Sequence, residues 1–562
     1  MKKRLLATLS LFFGALILAA TATGCGGGGG GSSSSSSDTN PSSGKSGGTF
    51  RLGTASGIDS LNPFVAFNQD AYSAFEYIYP VLIQYDSNLH YAPFFAKSWH
   101  ASNGGKTWTF KTQPNAKWSD GKPLTAADAA WTINTDIKYA SGGAASAAGL
   151  VNHIKNATAP NATTLVVNYD KAPGPTWVLG QFQQFFILPQ HIWAQHTGNK
   201  GADLKTFANN APVVGSGPFT LVKFKKNNIA IFKRNDSYWG TKPKIDEFGL
   251  QQFSDDDAMV TALKANDLDA IEAVPATAMK TLRNAGFDVS DVPGLDQTDF
   301  IINSNPQKKN HRELLNLKVK EAFDHAIDRQ KILNVTWLGA AKLPSTIIPA
   351  SAGVGWHNPH LKPVSFDLAL ANKLLDQAGF KKGSDGIRVA NGQKMSYNVI
   401  APTDVQSIPR TFQIIQTDFN KIGVQLKEEA LDSTAAFDKM ISPNNTYQGF
   451  DLAMWDWVAL IDPDFMLSVV TCDQYGGWSD SGYCNKSYDK MYSEQQVAPT
   501  EAKRRQIVWA MQEMLYKQRP YLWLANDDSV AAVSSKWADF QNTAQGPFNE
   551  LNIQSLTQVH QK

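Results

Sequence analysis

Cysteine is scarce in this chain of 562 residues, which has three, at Cys25, Cys472 and Cys484. So few sulfurs exclude a fold built on a disulfide framework, and no histidine or further cysteine lies close to the pair 472/484 to make a metal cluster. An excess of one charge is missing too. Lys and Arg number 52 against 50 Asp and Glu, a formal net charge of +2, which leaves no basic field to hold nucleic acid. The sequence has no H-E-x-x-H zinc helix, and His191 and His196 are five residues apart, one too many for one helical face. His357 and His360 flank a proline turn, and Gly105-Lys106-Thr107 lacks the earlier glycine of a phosphate loop. Carboxylates are plentiful, but none is singled out as an acid paired with a base. No catalytic residue, cofactor or metal site is therefore expected.

What is present begins at the amino terminus. Lys2, Lys3 and Arg4 precede residues 5–20, which are apolar except for Thr8, Ser10 and Gly14 and lead through Ala22, Thr23 and Gly24 to Cys25. A membrane-spanning helix needs about 20 apolar residues. This run is shorter and gives way to glycine, so residues 1–24 read as a secretory signal. Ala22-Thr23-Gly24-Cys25 resembles the bacterial lipobox, with Ala22 where leucine is usual, and the resemblance implies acylation of Cys25 after cleavage before it. Cleavage removes Lys2, Lys3 and Arg4 and takes the formal charge from +2 to −1. Residues 25–47, rich in glycine and serine, are too small and polar to bury a core and read as a flexible tether. The G-x-S-x-G match at Gly44-Lys45-Ser46-Gly47-Gly48 falls in this tether, where no strand and helix frame it. In an exported protein Cys472 and Cys484 are expected to pair, closing a short loop worth about 2–3 kcal/mol on chain-entropy grounds.

Beyond the tether the chain is long enough for two or more cores. Residues 48–52 and 164–169 read as strands, and Thr107-Trp108-Thr109-Phe110-Lys111 alternates at the two-residue period of a half-buried one. Thr125 is expected to accept a bond from an early backbone amide, with Asp128 reaching back or complementing the dipole, at the start of a helix whose inner face is Ala129, Ile133 and Ile137. Asp255, Asp256 and Asp257 read as a charged helix start. In the second half, helices are expected over 317–333, 366–378 (stopped by Gly379) and 405–422, the last between strands at 397–400 and 424–426. Mixed α/β architecture follows. A boundary between lobes is placed near residues 299–305, with Phe300-Ile301-Ile302 carrying the chain across a hinge and residues 521–524 carrying it back.

Several segments, in order, resemble extracellular solute-binding protein family 5, which contains the dipeptide- and oligopeptide-binding proteins. They are Ala96-Lys97-Ser98-Trp99, Thr107-Trp108-Thr109-Phe110, residues 116–128, Gly215-Ser216-Gly217-Pro218-Phe219, Asn235-Asp236-Ser237-Tyr238-Trp239-Gly240, residues 319–329 and residues 374–380. Most of these are turn and core residues that hold the fold. The resemblance implies a two-lobed α/β periplasmic-binding-protein-like fold with a hinge. Lobe I is then residues 48–85, 211–298 and 525–562, with an extra subdomain at 86–210, and lobe II is residues 299–524.

The family likeness further implies a monomer, lipid-anchored at the outer face of the bacterial cytoplasmic membrane, that captures a small ligand and delivers it to the permease of an ABC importer. A secreted hydrolase and a sensory or adhesive binding protein are the alternatives from other classes. Aromatic residues on strand ends are the candidates for ligand contact. These are Trp455, Trp457 and Trp478, with Asp456, Val458, Ala459 and Asp462 beside them and Asn68 and Tyr72 from the opposite lobe. In peptide-binding members an aspartate three residues before an acidic-proline pair meets the ligand's ammonium group. The pair resembles Asp462-Pro463, which places Ala459 at that position. Either Asp456 or Asp462 substitutes, or the ligand has no free amino terminus, in which case N-acetylating a peptide ligand costs little. Peptides are expected, with blocked peptides, oligosaccharides and other neutral solutes as rivals.

Replacing Cys25 with Ser is expected to abolish acylation and normal processing. Mass spectrometry of the mature protein from native cells checks this, and an unmodified Cys25 there would refute the anchor.

Overall fold

The computed structural model of the protein describes residues 46–54, 57–86, 88–253, 255–353, 355–403, 405–548 and 553–562. The signal segment, Cys25 and most of the tether lie outside the described residues. Strands in the first half are β1 (Thr49–Thr54), β2 (Ala96–Ser102), β3 (Thr107–Thr112), β4 (Ile154–Asn161), β5 (Thr164–Tyr169), β6 (Phe219–Lys225), β7 (Ile229–Arg234), β8 (Glu247–Gln252) and β9 (Ala270–Ile271). The second half adds β10 (Asp288–Ile302), β11 (Ala341–Lys342), β12 (Ser396–Pro402), β13 (Gln425–Leu431), β14 (Leu452–Val458) and β15 (Tyr521–Val533).

Among the described residues the main sheet has eleven strands in the order β13-β12-β14-β10-β15-β9-β1-β8-β7-β6, with β11 paired to β15. The middle of this order is made by two long strands, β10 of fifteen residues and β15 of thirteen, which run antiparallel to each other from Asp288↔Val533 to Ile301↔Tyr521. On one flank β1 pairs with β8 in parallel, and on the other β12 pairs in parallel with both β13 and β14. A separate four-stranded antiparallel sheet, β2-β3-β5-β4, packs against the helix Ala126–Tyr139.

Side chains explain these elements locally. Thr125 accepts from the Ala127 amide at 3.2 Å while the Asp128 carboxylate accepts from the Thr125 amide at 2.9 Å, which closes a capping box. Asp255 caps the helix Asp256–Lys264 by accepting from the Ala258 amide at 2.7 Å. Gly379, with φ of +87°, stops the helix Leu368–Gln377. At Gly215 and Gly217 a Cβ would lie 2.3 Å from the Ile78 carbonyl oxygen and 2.2 Å from that of Tyr77, so only glycine lets this bend reach the helix Gln69–Ile78.

One expected helix is two. Residues 317–333 divide into Leu317–His325 and Arg329–Thr336, because Asp328 turns its carboxylate onto the Lys331 amide at 3.0 Å and starts a new helix. Buried side chains sort by alternation along β10. Phe300 and Ile302 enter a core with Phe323, Tyr397, Phe419, Met454 and Leu522. Ile301 faces the other way, into a core with Ala453, Trp457, Tyr521 and Trp523. A further core gathers Phe50, Phe75, Phe110, Trp193 and Phe248 with Trp537 and Val559 from the carboxyl end. Among the described residues no helix is long and apolar enough to cross a membrane.

Candidate functional site

The tryptophans at 455 and 457 are placed by strand alternation. On β14 they point to one face, and the antiparallel register with β10 sets Trp455 opposite Asp299 and Trp457 opposite Gln297. Across the other edge of β10, Trp523 of β15 stands opposite Asp299 and Tyr521 opposite Ile301, with the Tyr521 and Trp523 rings stacked at 5.0 Å. Trp457 is buried. Its indole N–H donates to Asp480 Oδ2 at 2.9 Å, and the Tyr521 hydroxyl donates to Asp480 Oδ1. Trp478 is 44% exposed and packs edge-on against Trp457 and Phe465, with centroids 6.4 and 5.6 Å away. Its loop is closed by the expected disulfide between Cys472 and Cys484.

The remaining candidates separate by what their polar groups already do. Asp462 is buried and receives both ends of the Arg504 guanidinium at 2.6 Å each, the Tyr91 hydroxyl at 2.6 Å and the Asp464 amide at 2.9 Å. With this set of donors it is a structural anion, so it is not the acid that substitutes at Ala459. Ala459 itself is buried, its amide donating to the Leu295 carbonyl at 3.1 Å. Asn68 donates from its side chain to the Gly57 carbonyl at 3.2 Å, and the Tyr72 hydroxyl donates to the Ala66 carbonyl at 3.1 Å. Among the described residues no hydrogen bond or ring contact joins either of them to residues 455–478. Asp456 is exposed and lies opposite Thr298, and Val458 is half-buried opposite Asp296.

A set of acids that the sequence reading passed over lies on these strands. Asp299 is wholly buried, and neither of its carboxylate oxygens receives a hydrogen bond. Burial, reinforced by the charges of Asp480 and Asp456, holds its carboxyl well above the usual range. Burial pushes Asp480 up to about 6, although Tyr521 and Trp457 both donate to it. Asp296 is exposed to solvent, yet desolvation by the protein packed near it, with the Asp456 charge, pushes it up to about 7. Asp527 is raised for the same two reasons, with Asp296 the first of its acidic neighbours. The signal for Asp299 was an acid interrupting Thr298-Asp299-Phe300-Ile301-Ile302, otherwise an apolar strand. Among the described residues no group of three or more His, Cys, Asp or Glu is arranged to hold a metal ion.

Strands crossing between cores, with an aromatic and acidic wall beside them, make a mixed α/β fold of the periplasmic binding protein type. The model of bacterial extracellular solute-binding proteins, family 5 Middle, matches residues 90–477, and the chain belongs to that family. Its members are non-catalytic binding proteins of ABC importers. Protein XP55 of Streptomyces lividans is 25% identical over 504 residues, covering 89% of this chain and 87% of that one. The structure of NikZ from Campylobacter jejuni in complex with Ni(L-His) is similar with a TM-score of 0.79 at 21% identity, over 91% of this chain and 99% of that one. The oligopeptide-binding protein AppA of Bacillus subtilis in complex with a nonapeptide gives 0.78 at 20% identity, over 92% and 100%.

Two outcomes are expected. Asp462→Ala strands the Arg504 charge in the interior and is expected to cost about 3–5 kcal/mol in denaturant unfolding, whereas changing the pair together to Leu and Met costs much less. The raised acids bind protons more tightly in the folded chain than in the unfolded one. Stability therefore falls as pH rises from about 4, the ordinary aspartate value, through about 7. The melting temperature is expected to rise on going from pH 7.5 to pH 5, and to rise less in Asp299→Asn.

Proposed function

We propose that this protein captures a peptide-like solute outside the cell and presents it to an ABC permease, anchored by an acylated Cys25 to the outer face of the cytoplasmic membrane. Lobe I is residues 48–85, 211–298 and 525–562, with the extra subdomain 86–210, and lobe II is residues 299–524. The two close on the ligand by hinge motion at β10 and β15. Two observations support the division. These strands pair along most of their length, and the side chains flanking them enter different cores.

The observation that carries the reading of the site is the platform of Trp478, Trp457 and Phe465, an aromatic surface left 44% exposed at Trp478 beside the strand ends. Such a surface stacks on side chains or on planar amide groups without requiring one sequence. The nonapeptide in AppA favours a peptide, and Ni(L-His) in NikZ is the other ligand chemistry among these neighbours. An oligosaccharide or other neutral solute would use the same aromatic surface.

Mass spectrometry of whatever copurifies from rich medium identifies the class of ligand, and a peptide is expected. Trp478→Ala and Trp455→Ala are expected to weaken binding of that ligand by about 2 kcal/mol each by calorimetry, with the ligand recovered chemically unchanged. Turnover of the ligand, or unaltered affinity in both variants, would overturn this reading.

A further inference from the structure

Several of the acids this chain buries in its interior meet a cation. Arg504 meets Asp462, Arg329 meets Asp324 at 2.5 Å, and Lys308 meets Asp451 at 2.9 Å. Other buried acids, Asp70 and Asp136 among them, form no ion pair among the described residues, and Asp299 and Asp480 are of this second kind. Both are wholly buried, burial makes each hold its own proton more tightly, and among the described ion pairs none includes either of them. Asp480 is met by neutral donors, the Trp457 indole, the Tyr521 hydroxyl and the backbone amides of Asp480 and Ser481. Asp299 is met by no donor at all.

A buried carboxylate without a partner is strongly unfavourable. Two arrangements relieve it: the two acids share protons, or a cation from outside lies between them. The walls favour the second. Asp299 has an indole directly across each of its strand edges, Trp455 on β14 and Trp523 on β15, and Trp457 and Tyr521 lie on the same face. Indole faces attract cations, and more strongly where water is excluded. Of these four rings only Trp455 is half-exposed, so it marks the way in.

We propose that the ligand carries an ammonium or guanidinium group, received past Trp455 between Asp299 and Asp480 within the walls of Trp457, Tyr521 and Trp523. The proposal rests on the binding-protein reading of this same site. It reverses the expectation drawn from Ala459 alone, because the counter-charge missing from the loop is supplied from β10 and from the loop after Trp478.

The test uses the mature protein and five probes by calorimetry. They are Ala-Lys-Ala-Ala, its norleucine analogue Ala-Nle-Ala-Ala, the N-acetylated form of each, and agmatine as a cation that is not a peptide. At least one charged peptide is expected to bind tenfold or more tightly than acetylated Ala-Nle-Ala-Ala. Comparing acetylated Ala-Lys-Ala-Ala with free Ala-Nle-Ala-Ala tells whether the side chain or the amino terminus supplies the charge. Asp299→Asn and Asp480→Asn are each expected to erase the preference; a melting temperature at or above that of the unaltered protein shows that a variant is folded. Equal affinity for the neutral peptide, or a preference that survives in both variants, overturns the cation and leaves peptide capture standing. Agmatine binding lost in Asp299→Asn, with no peptide bound, upholds the cation and removes the peptide. No binding by any of the five probes overturns the cation as well.

Discussion

Everything at the candidate site hangs on the pairing of β10 with β15. These two strands lie in the middle of the main sheet, and each backbone is tied to the other across a stretch that few other strands in the chain approach in length. Their register breaks twice, between Pro293 and Gln297 and between Thr298 and Asp299. Both irregularities fall at the acids. A bulge re-aims side chains and increases local twist, which is how a strand whose residues 300–302 alternate between two cores comes to expose Asp296 and bury Asp299 among aromatic rings. Gly294 lies within the first break, where a Cβ would stand 2.3 Å from the Asp527 carbonyl oxygen, so the backbones can approach there only without a side chain.

The chain uses buried charge in two ways, and contrasting them separates scaffold from site. The Asp462–Arg504 pair is well satisfied: Gln495 accepts the guanidinium Nε–H at 2.8 Å, the Trp356 ring lies 4.9 Å from the guanidinium carbon, and the Tyr91 hydroxyl donates to Asp462. Asp299 on β10 and Asp527 on β15 are the reverse case, each with a carboxylate oxygen that no hydrogen bond reaches and like charges for neighbours. Proximity in sequence to the tryptophans therefore misdirects at Asp462, only four residues beyond Val458 and yet committed to the fold.

Much of the fold was legible because local chemistry decides it. Thr125 with Asp128, Asp255 and Gly379 start or stop helices through bonds within a few residues, and such signals survive any tertiary context. The break after His325 was missed because the apolar spacing continues through Ala326, Ile327 and Leu333, whereas the capping by Asp328 competes with it and wins. The pairing of Cys472 with Cys484 was legible from compartment and spacing. Asp299 was not, since its significance comes from residues about 155 and 220 positions away that only strand register brings beside it. An acid within an apolar run reads locally as a strand end; only the three-strand face reveals that it has no partner.

That dependence on register bears on how such a site comes to differ between proteins of one fold. Residues of β10 that alternate into cores, Phe300, Ile301 and Ile302, hold the strand against its neighbours whatever stands at 296 and 299. The positions at the bulged end are thus relieved of packing duty, and their polarity can follow the ligand instead of the core. Ala459 and Asp299 illustrate the exchange: a small apolar residue is buried where the resemblance leads one to expect an acid, and an acid is buried where the strand's own pattern leads one to expect an apolar residue. An acid on a strand is held by backbone pairing on both edges, so the place of Asp299 is set by β14 and β15 and not by the mobility of a loop.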